Sequence, residues 1–372
     1  MRPEEVQEFA RQEVFQTLVD RYEHREFSRD LWKKMADAGL FRFLVPEEYG
    51  GSGEKPEELI GAVEAFILGG QDLGLCLSWV VHLMIHTRVI AWFGSREQRA
   101  RYLPSLVHGE RVGALAASEP DSGADPTKMR TRADAENGSF HLHGHKVFVT
   151  NGPVADVVIV LARTGPDPGK ENISAFLLET SSPGFRCKQQ MDLGYLNTSP
   201  HGELVFEDCR IPADHLVGSL GDGHSRISRA VLGWERYLVT VAMTAHFRLL
   251  LDRAVTFLAD GLRSGAAGEL QEQVGLFHVQ LEALREMAKM LACEVLGRAE
   301  LDGRLFERLL FLGDSLTEWW DRFVKFFERS SVPKEAPVTI LLNDARLLRV
   351  NQRLRSLQTK RIAGSILAKR AI

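Results

Sequence analysis

Three zones with different hydrophobic patterns follow one another along the chain, and their order is the feature that most restricts the fold. Up to about residue 110 and again after about residue 225, apolar residues recur every three or four positions, which is helical spacing. Between these zones lie short runs rich in β-branched and aromatic residues, with turns at Asn137-Gly138 and Pro183-Gly184. The order predicts an α+β multidomain protein with an N-terminal α-helical domain (1–110), a middle antiparallel β domain (111–220) and a C-terminal helical domain (221–372).

Composition narrows the classes of function. A net charge of −4 over 372 residues gives no reason to expect nucleic acid or an anionic membrane as a partner. The longest apolar runs, such as residues 75–85, are interpreted as too short and too mixed to cross a bilayer, and the amino terminus lacks the apolar core of a signal peptide. The four cysteines form no CxxC pair, so we expect neither disulfides nor a zinc site and assign the chain to the cytoplasm.

Two further stretches are interpreted as structural. The segment GGQDLGLCLSWVVH (69–82) is predicted to be a buried helix whose small residues permit close packing. His141, His143 and His145 alternate on a predicted strand and could face one way, but we expect no acidic or cysteine partner beside them. A metal site is therefore not predicted.

Two segments combine residue types suited to a flat heteroaromatic ligand. Residues 115–125, LAASEPDSGAD, contain proline, glycine and small residues, so backbone N–H groups are exposed and a ligand can approach the main chain. Residues 146–151, KVFVTN, place Phe148 and Thr150 two apart on a strand, so both point the same way, one for a ring face and one for a ring heteroatom. Taken singly, the first segment also fits a plain strand-ending turn and the second a core strand.

Together the two segments resemble the acyl-CoA dehydrogenase family, whose signatures read Thr-Glu-Pro-x-Ala-Gly-Ser-Asp and Lys-x-Trp-Ile-Thr-Asn. The corresponding residues here are SEPDSGAD (118–125) and KVFVTN (146–151). Further matches are LVPEEYGG (44–51), REQRARYLPSLVHGE (96–110) and TSPHGELVFEDCRIPADHLVG (198–218). The resemblance extends in order over about residues 1 to 260. It implies a helical domain, a β-barrel-like domain and a four-helix bundle, with FAD between the last two.

The resemblance also assigns residues to the site. The FAD-binding residues that it implies are Leu115, Ala117, Ser118, Gly123, Ala124, Phe148, Val149 and Thr150. The substrate-binding residues that it implies are Ala124 and Arg236. The family has threonine and serine where this chain has Ser118 and Ala124. The hydroxyl is kept at the first position, whereas a hydrogen bond worth about 1 kcal/mol is lost at the second.

The predicted catalytic base is Glu235. Removing hydrogen across Cα–Cβ of an acyl thioester requires an acceptor for the α-proton, and a carboxylate in an apolar pocket suits that role. The family places this glutamate either in a loop near the carboxyl end or within Trp-Glu-Arg on the first bundle helix. Here GWER (233–236) matches the second position, and residues 359–365 contain no glutamate. Without the resemblance, Glu235 would be read as a solvated residue in the first turn of a helix.

The resemblance weakens beyond about residue 260. The family's Arg-x-x-Phe-Gly, which reaches the FAD pyrophosphate of a neighbouring subunit, is absent from residues 259–269, where Arg263 is the one stand-in. The later Gly-Gly-x-Gly turn would fall near residues 328–331, which contain no glycine. Three functions stay open: a FAD-dependent dehydrogenase in which Arg263, Lys289 and Lys334 replace these contacts, one subunit of a hetero-oligomer, or a non-redox protein that binds acyl thioesters. The implied partners are CoA or a carrier protein, further subunits and an electron-transferring flavoprotein.

Overall fold

Helices, a sheet and helices follow one another in the predicted order. The architecture is described from a computed structural model. The structure describes residues 1–121, 125, 128–165, 172–262, 268–298, 303–330 and 332–350.

Seven α-helices form the N-terminal part, residues 1–110. Their bounds are α1 (Pro3–Phe9), α2 (Leu18–His24), α3 (Arg29–Asp37), α4 (Pro56–Gly70), α5 (Leu73–Met84), α6 (Ala91–Phe93) and α7 (Arg96–Val107). A π-helical segment, Ile85–Ile90, joins α5 to α6. By length and composition Leu73–Phe93 could cross a membrane, with a mean hydropathy of 1.5, which corrects the expectation from sequence. Its residues 73–91 are buried inside the fold, which is the position of a core helix.

An eight-stranded sheet follows. Its strands are β1 (Gly113–Ala116), β2 (Arg132–Glu136), β3 (Ser139–Thr150), β4 (Val157–Arg163), β5 (Ile173–Glu179), β6 (Phe185–Met191), β7 (His201–Pro212) and β8 (Leu216–Val217). Their order is β6-β7-β3-β2-β4-β5-β8, with β1 paired to β4. Most strand pairs are antiparallel, as predicted, but the sheet is mixed, because β1 and β4 run parallel from Gly113↔Val157 to Ala116↔Val160. Turn signals identify hairpins such as β2–β3, but not a parallel pair that forms across an intervening hairpin.

Strand β4 separates the two main hydrophobic cores. Val158 and Val160 point into a core between strands, whereas Val157 and Ile159 point into the larger core that the helices share. Burial on both faces explains why VVIVLAR is a continuous apolar run instead of an alternating one. The sheet is thereby fixed against the buried helix α5.

The C-terminal part is helical, as the resemblance implies. The described helices are α8 (Arg229–Leu262), α9 (Gly268–Leu296), α10 (Gly303–Arg329), α11 (Ala336–Asp344) and α12 (Leu347–Val350). A π-helical segment, Gly223–Ser228, leads into α8. The ring of Phe247 stacks on both Trp319 and Trp320, with centroid distances of 5.3 and 4.9 Å, and this aromatic cluster joins α8 to α10.

The close packing predicted for residues 69–82 is confirmed, although the segment spans the end of α4 and most of α5. A Cβ at Gly69 would lie 2.2 Å from the backbone oxygen of Gln7 in α1. A Cβ at Gly74 would lie 2.4 Å from Oγ1 of Thr198. Glycine at these positions allows neighbouring main chains to approach closely.

Gly69→Ala should therefore destabilise the protein by about 1–3 kcal/mol, because the backbone of α1 has to move to admit the methyl group. Gly275→Ala is the matched control, since this exposed glycine of α9 has open space around its Cα. We expect it to stabilise the protein by up to about 1 kcal/mol through helix propensity. Thermal unfolding of both variants checks the prediction, and equal effects would contradict it.

Candidate active site

A cavity of about 140 Å³ lies where strands β1 and β3 meet helices α5 and α8. It brings together the two segments singled out from the sequence and the predicted base. The residues that line it are Val81, Met84, Ile85, Leu115, Ala117, Ser118, Val147, Phe148, Thr150, Val231 and Glu235. The sheet side of the cavity thus contributes apolar and hydroxyl side chains, whereas α8 contributes the carboxylate of Glu235.

Most of the predicted site residues line this cavity, but not all. Val149 does not, because its side chain is buried in the core between strands. Arg236 follows Glu235 on α8 but is not among the lining residues. Gly123 and Ala124 lie outside the described residues.

Phe148 reaches the cavity because β3 is irregular at this point. The pairing of β3 with β7 shifts register between Lys146 and Val149, which is a β-bulge. Within the bulge Phe148 has a φ of 55°, in the left-handed region. Its ring stays 58% exposed, and its N–H donates to Sδ of Met191 at 3.4 Å. Strict alternation would place Val147 and Phe148 on opposite faces of the strand, whereas the bulge lets both line the cavity together with Thr150.

A buried ion pair holds the loop after β1 against β3, and sequence reasoning missed its role. Nζ of Lys146 lies 3.0 Å from Oε1 of Glu119, and both side chains are almost fully buried. Lys146 also donates to the carbonyl of Ala117 at 3.0 Å, and Glu119 accepts from the backbone N–H groups of Arg130 and Thr131. Both residues stand in the two quoted motifs, which is the signal that could have found them.

The pair is charged at neutral pH. Burial lowers the pKa of the Lys146 ammonium to about 8, although the Glu119 carboxylate opposes this fall. Burial would raise the pKa of Glu119, but the Lys146 charge and the backbone hydrogen bonds prevail and lower it. A buried charge that keeps its partner and its hydrogen bonds in this way fixes Ala117 and Ser118 at the cavity wall.

Asn151, the last residue of the second motif, also has a structural role. Its Nδ2 donates to the carbonyls of Ser78 at 2.9 Å and Gly113 at 3.2 Å. The N–H of Gly113 in turn donates to Nδ1 of His82 at 3.0 Å. Burial, first of all, lowers the pKa of His82 well below its usual value, so its ring is neutral and can accept this bond. Asn151 and His82 thus join β1 and β3 to α5 beside the cavity.

Glu235 is the seventh residue of α8 and lies beyond its first turn. The helix dipole acts within the first turn, so it does not account for a carboxylate here. The side chain is partly accessible, since it lines the cavity. Burial raises the pKa of the Glu235 carboxyl, and the Arg236 guanidinium opposes part of the rise. Among the described residues the carboxylate has no hydrogen-bond partner. An unpaired carboxylate in an apolar cavity is suited to accept a proton.

Other features of the described residues do not form a competing site. A wider, open surface groove of about 670 Å³ lies between α1 and α3, away from every predicted residue, and its lining is mostly carboxylates. The expectation that the strand histidines lack an acidic partner is wrong, since Nδ1 of His141 lies 2.7 Å from Asp208. Within the described part of the chain no group of three or more His, Cys, Asp or Glu could hold a metal ion.

The cationic groups suggested for a pyrophosphate are placed as follows. Arg263 lies outside the described residues. Nζ of Lys289 on α9 lies 3.1 Å from the buried Glu64 of α4, so this ammonium joins two helices within the chain. Lys334 is exposed in the connection before α11. Lys289 is therefore already paired and is not suited to replace the missing pyrophosphate contacts, whereas Lys334 remains available for that role.

Comparisons with known proteins agree with the family resemblance seen in the sequence. The family model described as acyl-CoA dehydrogenase, N-terminal domain, matches residues 1–110, and the model of the middle domain matches residues 114–209. An acyl-CoA dehydrogenase of Bacillus subtilis (strain 168) is 31% identical over 358 residues, which cover 95% of this chain and 93% of that protein. An L-prolyl-[peptidyl-carrier protein] dehydrogenase of Pseudomonas fluorescens is 34% identical over 232 residues, covering 62% of this chain and 61% of that protein.

Solved structures share the whole architecture. The FAD complex of PigA superposes with a TM-score of 0.86 at 26% sequence identity, covering 98% of this chain and 96% of that one. The agreement therefore includes the C-terminal helices, where the sequence motifs weaken.

Lys146→Met should lower the free energy of unfolding by about 3–5 kcal/mol, because it leaves the buried Glu119 carboxylate without its counter-charge. The double variant Lys146→Met with Glu119→Gln should recover part of this loss. Lys188→Met is the control, since Lys188 pairs with Glu203 at 3.2 Å on the surface and should contribute less than about 1 kcal/mol. Chemical denaturation measures all three, and equal losses from Lys146 and Lys188 would refute the assignment.

Proposed function

Because the chain belongs to the acyl-CoA dehydrogenase family, we propose that it removes two hydrogens across Cα–Cβ of an acyl thioester, with Glu235 as the base and FAD as cofactor. The observation that carries the proposal is the convergence of Glu235 with Phe148 and Thr150 in one cavity. The resemblance had linked Glu235 in one segment of the sequence to Phe148 and Thr150 in another.

The residues on the sheet side of the cavity fit an isoalloxazine ring. Phe148 is an exposed aromatic side chain held in a strained backbone conformation, a cost of about 1–3 kcal/mol that proteins retain mainly at ligand sites. Ala117 and Ser118 are small enough for a flat ring to approach the main chain, and the hydroxyls of Ser118 and Thr150 provide polar contacts. FAD, when bound, supplies the acceptor for the hydride from Cβ.

Glu235 is proposed to take the α-proton. It is the one acidic or basic side chain that lines the cavity in the described part of the chain. The raised pKa makes its carboxylate a stronger base than an exposed glutamate, and its lone pairs are available because no described residue forms a hydrogen bond with it. Val81, Met84 and Val231 form an apolar lining that would exclude water from the bound acyl group. Exclusion of water strengthens the electrostatic interactions that help to remove the α-proton, which is only weakly acidic in water.

The substrate class is an acyl or aminoacyl thioester, carried by CoA or by a carrier protein. The relatives from Bacillus subtilis and Pseudomonas fluorescens are named for these two carriers, and both resemble this chain at more than 30% identity. An electron-transferring flavoprotein as the final acceptor and an oligomeric assembly are part of the same proposal.

Purified protein is expected to be yellow, with one FAD per chain measured by absorbance after denaturation. The Phe148→Ala variant should bind FAD more weakly, because stacking of the flavin ring on an aromatic side chain contributes up to about 1.5 kcal/mol. Phe311→Ala is the matched control, since Phe311 is equally exposed on α10. Colourless protein that turns yellow only with a second dehydrogenase-like chain would indicate a hetero-oligomer. Colourless protein that still binds thioesters would indicate a non-redox function.

Glu235→Gln should still bind FAD and thioester but reduce flavin about 10²–10⁴-fold more slowly, because general base catalysis contributes that much. The measurement is stopped-flow reduction with a panel of acyl-CoA and aminoacyl carrier-protein thioesters. Glu328→Gln, an exposed carboxylate of α10, should react like wild type. Flavin reduction at the wild-type rate in Glu235→Gln would contradict the assignment of Glu235 as the base.

The same substitution should change stability in a pH-dependent way. Because the folded-state pKa of Glu235 is raised, the folded protein binds this proton more tightly than the unfolded chain does. Wild type therefore loses stability as pH rises from the ordinary glutamate pKa through the raised value. Glu235→Gln should match wild type at acid pH and exceed it at neutral pH in thermal unfolding.

A further inference from the structure

A fully buried guanidinium lies one helical turn from the cavity. Arg88 belongs to the π-helical segment Ile85–Ile90, whose first residue lines the cavity. Its Nη1 and Nη2 donate to the two carboxylate oxygens of Glu54 at 2.9 and 3.0 Å. Nη2 also donates to the carbonyl of Leu296 at the end of α9. Arg88 thus connects the N-terminal helices to the C-terminal ones through hydrogen bonds of defined direction.

The same guanidinium is enclosed by two indoles. Its central carbon lies 4.5 Å from the ring centroid of Trp92 and 5.4 Å from that of Trp234. The two indoles contact each other edge to face at 5.2 Å. Trp234 is fully buried, and its Nε1 donates to the carbonyls of Val295 and Arg298, both at 3.1 Å. The rotation of this indole is therefore determined by contacts on every side.

Trp234 immediately precedes Glu235 on α8. In an α-helix successive side chains are separated by roughly 100°, so fixing the indole on one side of the backbone fixes the direction of the next Cα–Cβ bond. Glu235 has no hydrogen-bond partner of its own among the described residues that could orient it. Its position must then come from the backbone and from packing.

We propose that Arg88, Glu54 and Trp234 form a clamp that positions the Glu235 carboxylate in the cavity. Arg88 and Trp234 are positioning residues, since neither lines the cavity. The inference rests on the proposed role of Glu235 as base and adds the means by which it is held. The π-helical segment has a part in this arrangement, because its wider turn changes which residues face α8.

Loosening the clamp should let the Glu235 carboxylate reach water. Arg88→Lys keeps a positive charge but loses the planar fork and the stacking surface. Glu54→Gln keeps Arg88 and removes its counter-charge at a half-exposed position, so this variant should fold even if Arg88→Lys does not. Arg21→Lys is the matched control, because Arg21 is also buried and pairs with Asp72 at 2.7 Å, but away from the cavity.

The decisive measurement needs no substrate. Each variant is compared with its Glu235→Gln double variant by thermal unfolding of the FAD-loaded full chain between acid and neutral pH. The pH-dependent gap between the two reports how strongly the protein perturbs Glu235. We expect Arg88→Lys and Glu54→Gln to shrink this gap to about half or less, and Arg21→Lys to leave it unchanged. An equal gap in all of them would overturn the clamp.

Flavin reduction and circular dichroism give two further readouts. The rate per bound flavin should fall about 10- to 100-fold in Arg88→Lys with little change in KM, because a small displacement of a catalytic group costs that much. The exciton signal of the coupled indoles Trp92 and Trp234 should weaken in the same variant. A normal rate per bound flavin with a lower Tm would mean that Arg88 is only structural. If Glu235 is not the base, the Glu235→Gln variant alone shows it, so that outcome is distinguishable from failure of the clamp.

Discussion

The segment Leu73–Phe93 is buried from Leu73 to Ala91, and its polar side chains have to find partners among the elements around it. The ring of His82 forms hydrogen bonds with the carbonyl of Leu106 and the N–H of Gly113, and Arg88 donates to the carbonyl of Leu296. These partners come from α7, β1 and α9, so the helix is bonded to all three parts of the chain. An unpaired polar group in such a position would cost about 1–3 kcal/mol, which ties the relative placement of the three parts to this one helix.

The cavity follows from that placement. The last turns of α5 form its floor, the strands bonded to α5 form one wall, and α8, packed along the same helix, forms the other. The described residues at the start of the loop after β1, 117–121, are small or polar apart from Pro120 and offer little apolar surface to hold them against β3. The buried Lys146–Glu119 pair supplies the missing interaction and explains why a costly buried charge is present at the edge of the site.

The sequence allowed the order of the parts, the motif segments and the position of the base to be predicted, because each is expressed in local pattern or in resemblance. It did not allow the parallel pairing of β1 with β4 to be predicted, since that pairing depends on residues about 44 apart, as in Gly113↔Val157. The bulge at Phe148 was also missed, because alternation assumes a regular strand. The α5 side of the cavity was beyond sequence reasoning for the same reason, as Val81 and Met84 come from a segment far from Glu235 along the chain.

The poor solvation that would make Glu235 a strong base, in the proposed role, also makes its burial costly for the fold. Burial without a partner disfavours the Glu235 carboxylate, and rotation of the first turns of α8 toward water would relieve that cost. The opposing force has to come from groups that fix α8 without neutralising the carboxylate. The neighbouring Arg236 guanidinium opposes only part of the rise in the Glu235 pKa, whereas Arg88 is paired with Glu54 and contacts the indole of Trp234 on α8. In the proposed arrangement, the charge that holds the helix is separate from the carboxylate that takes the proton, so α8 can be held without neutralising that carboxylate.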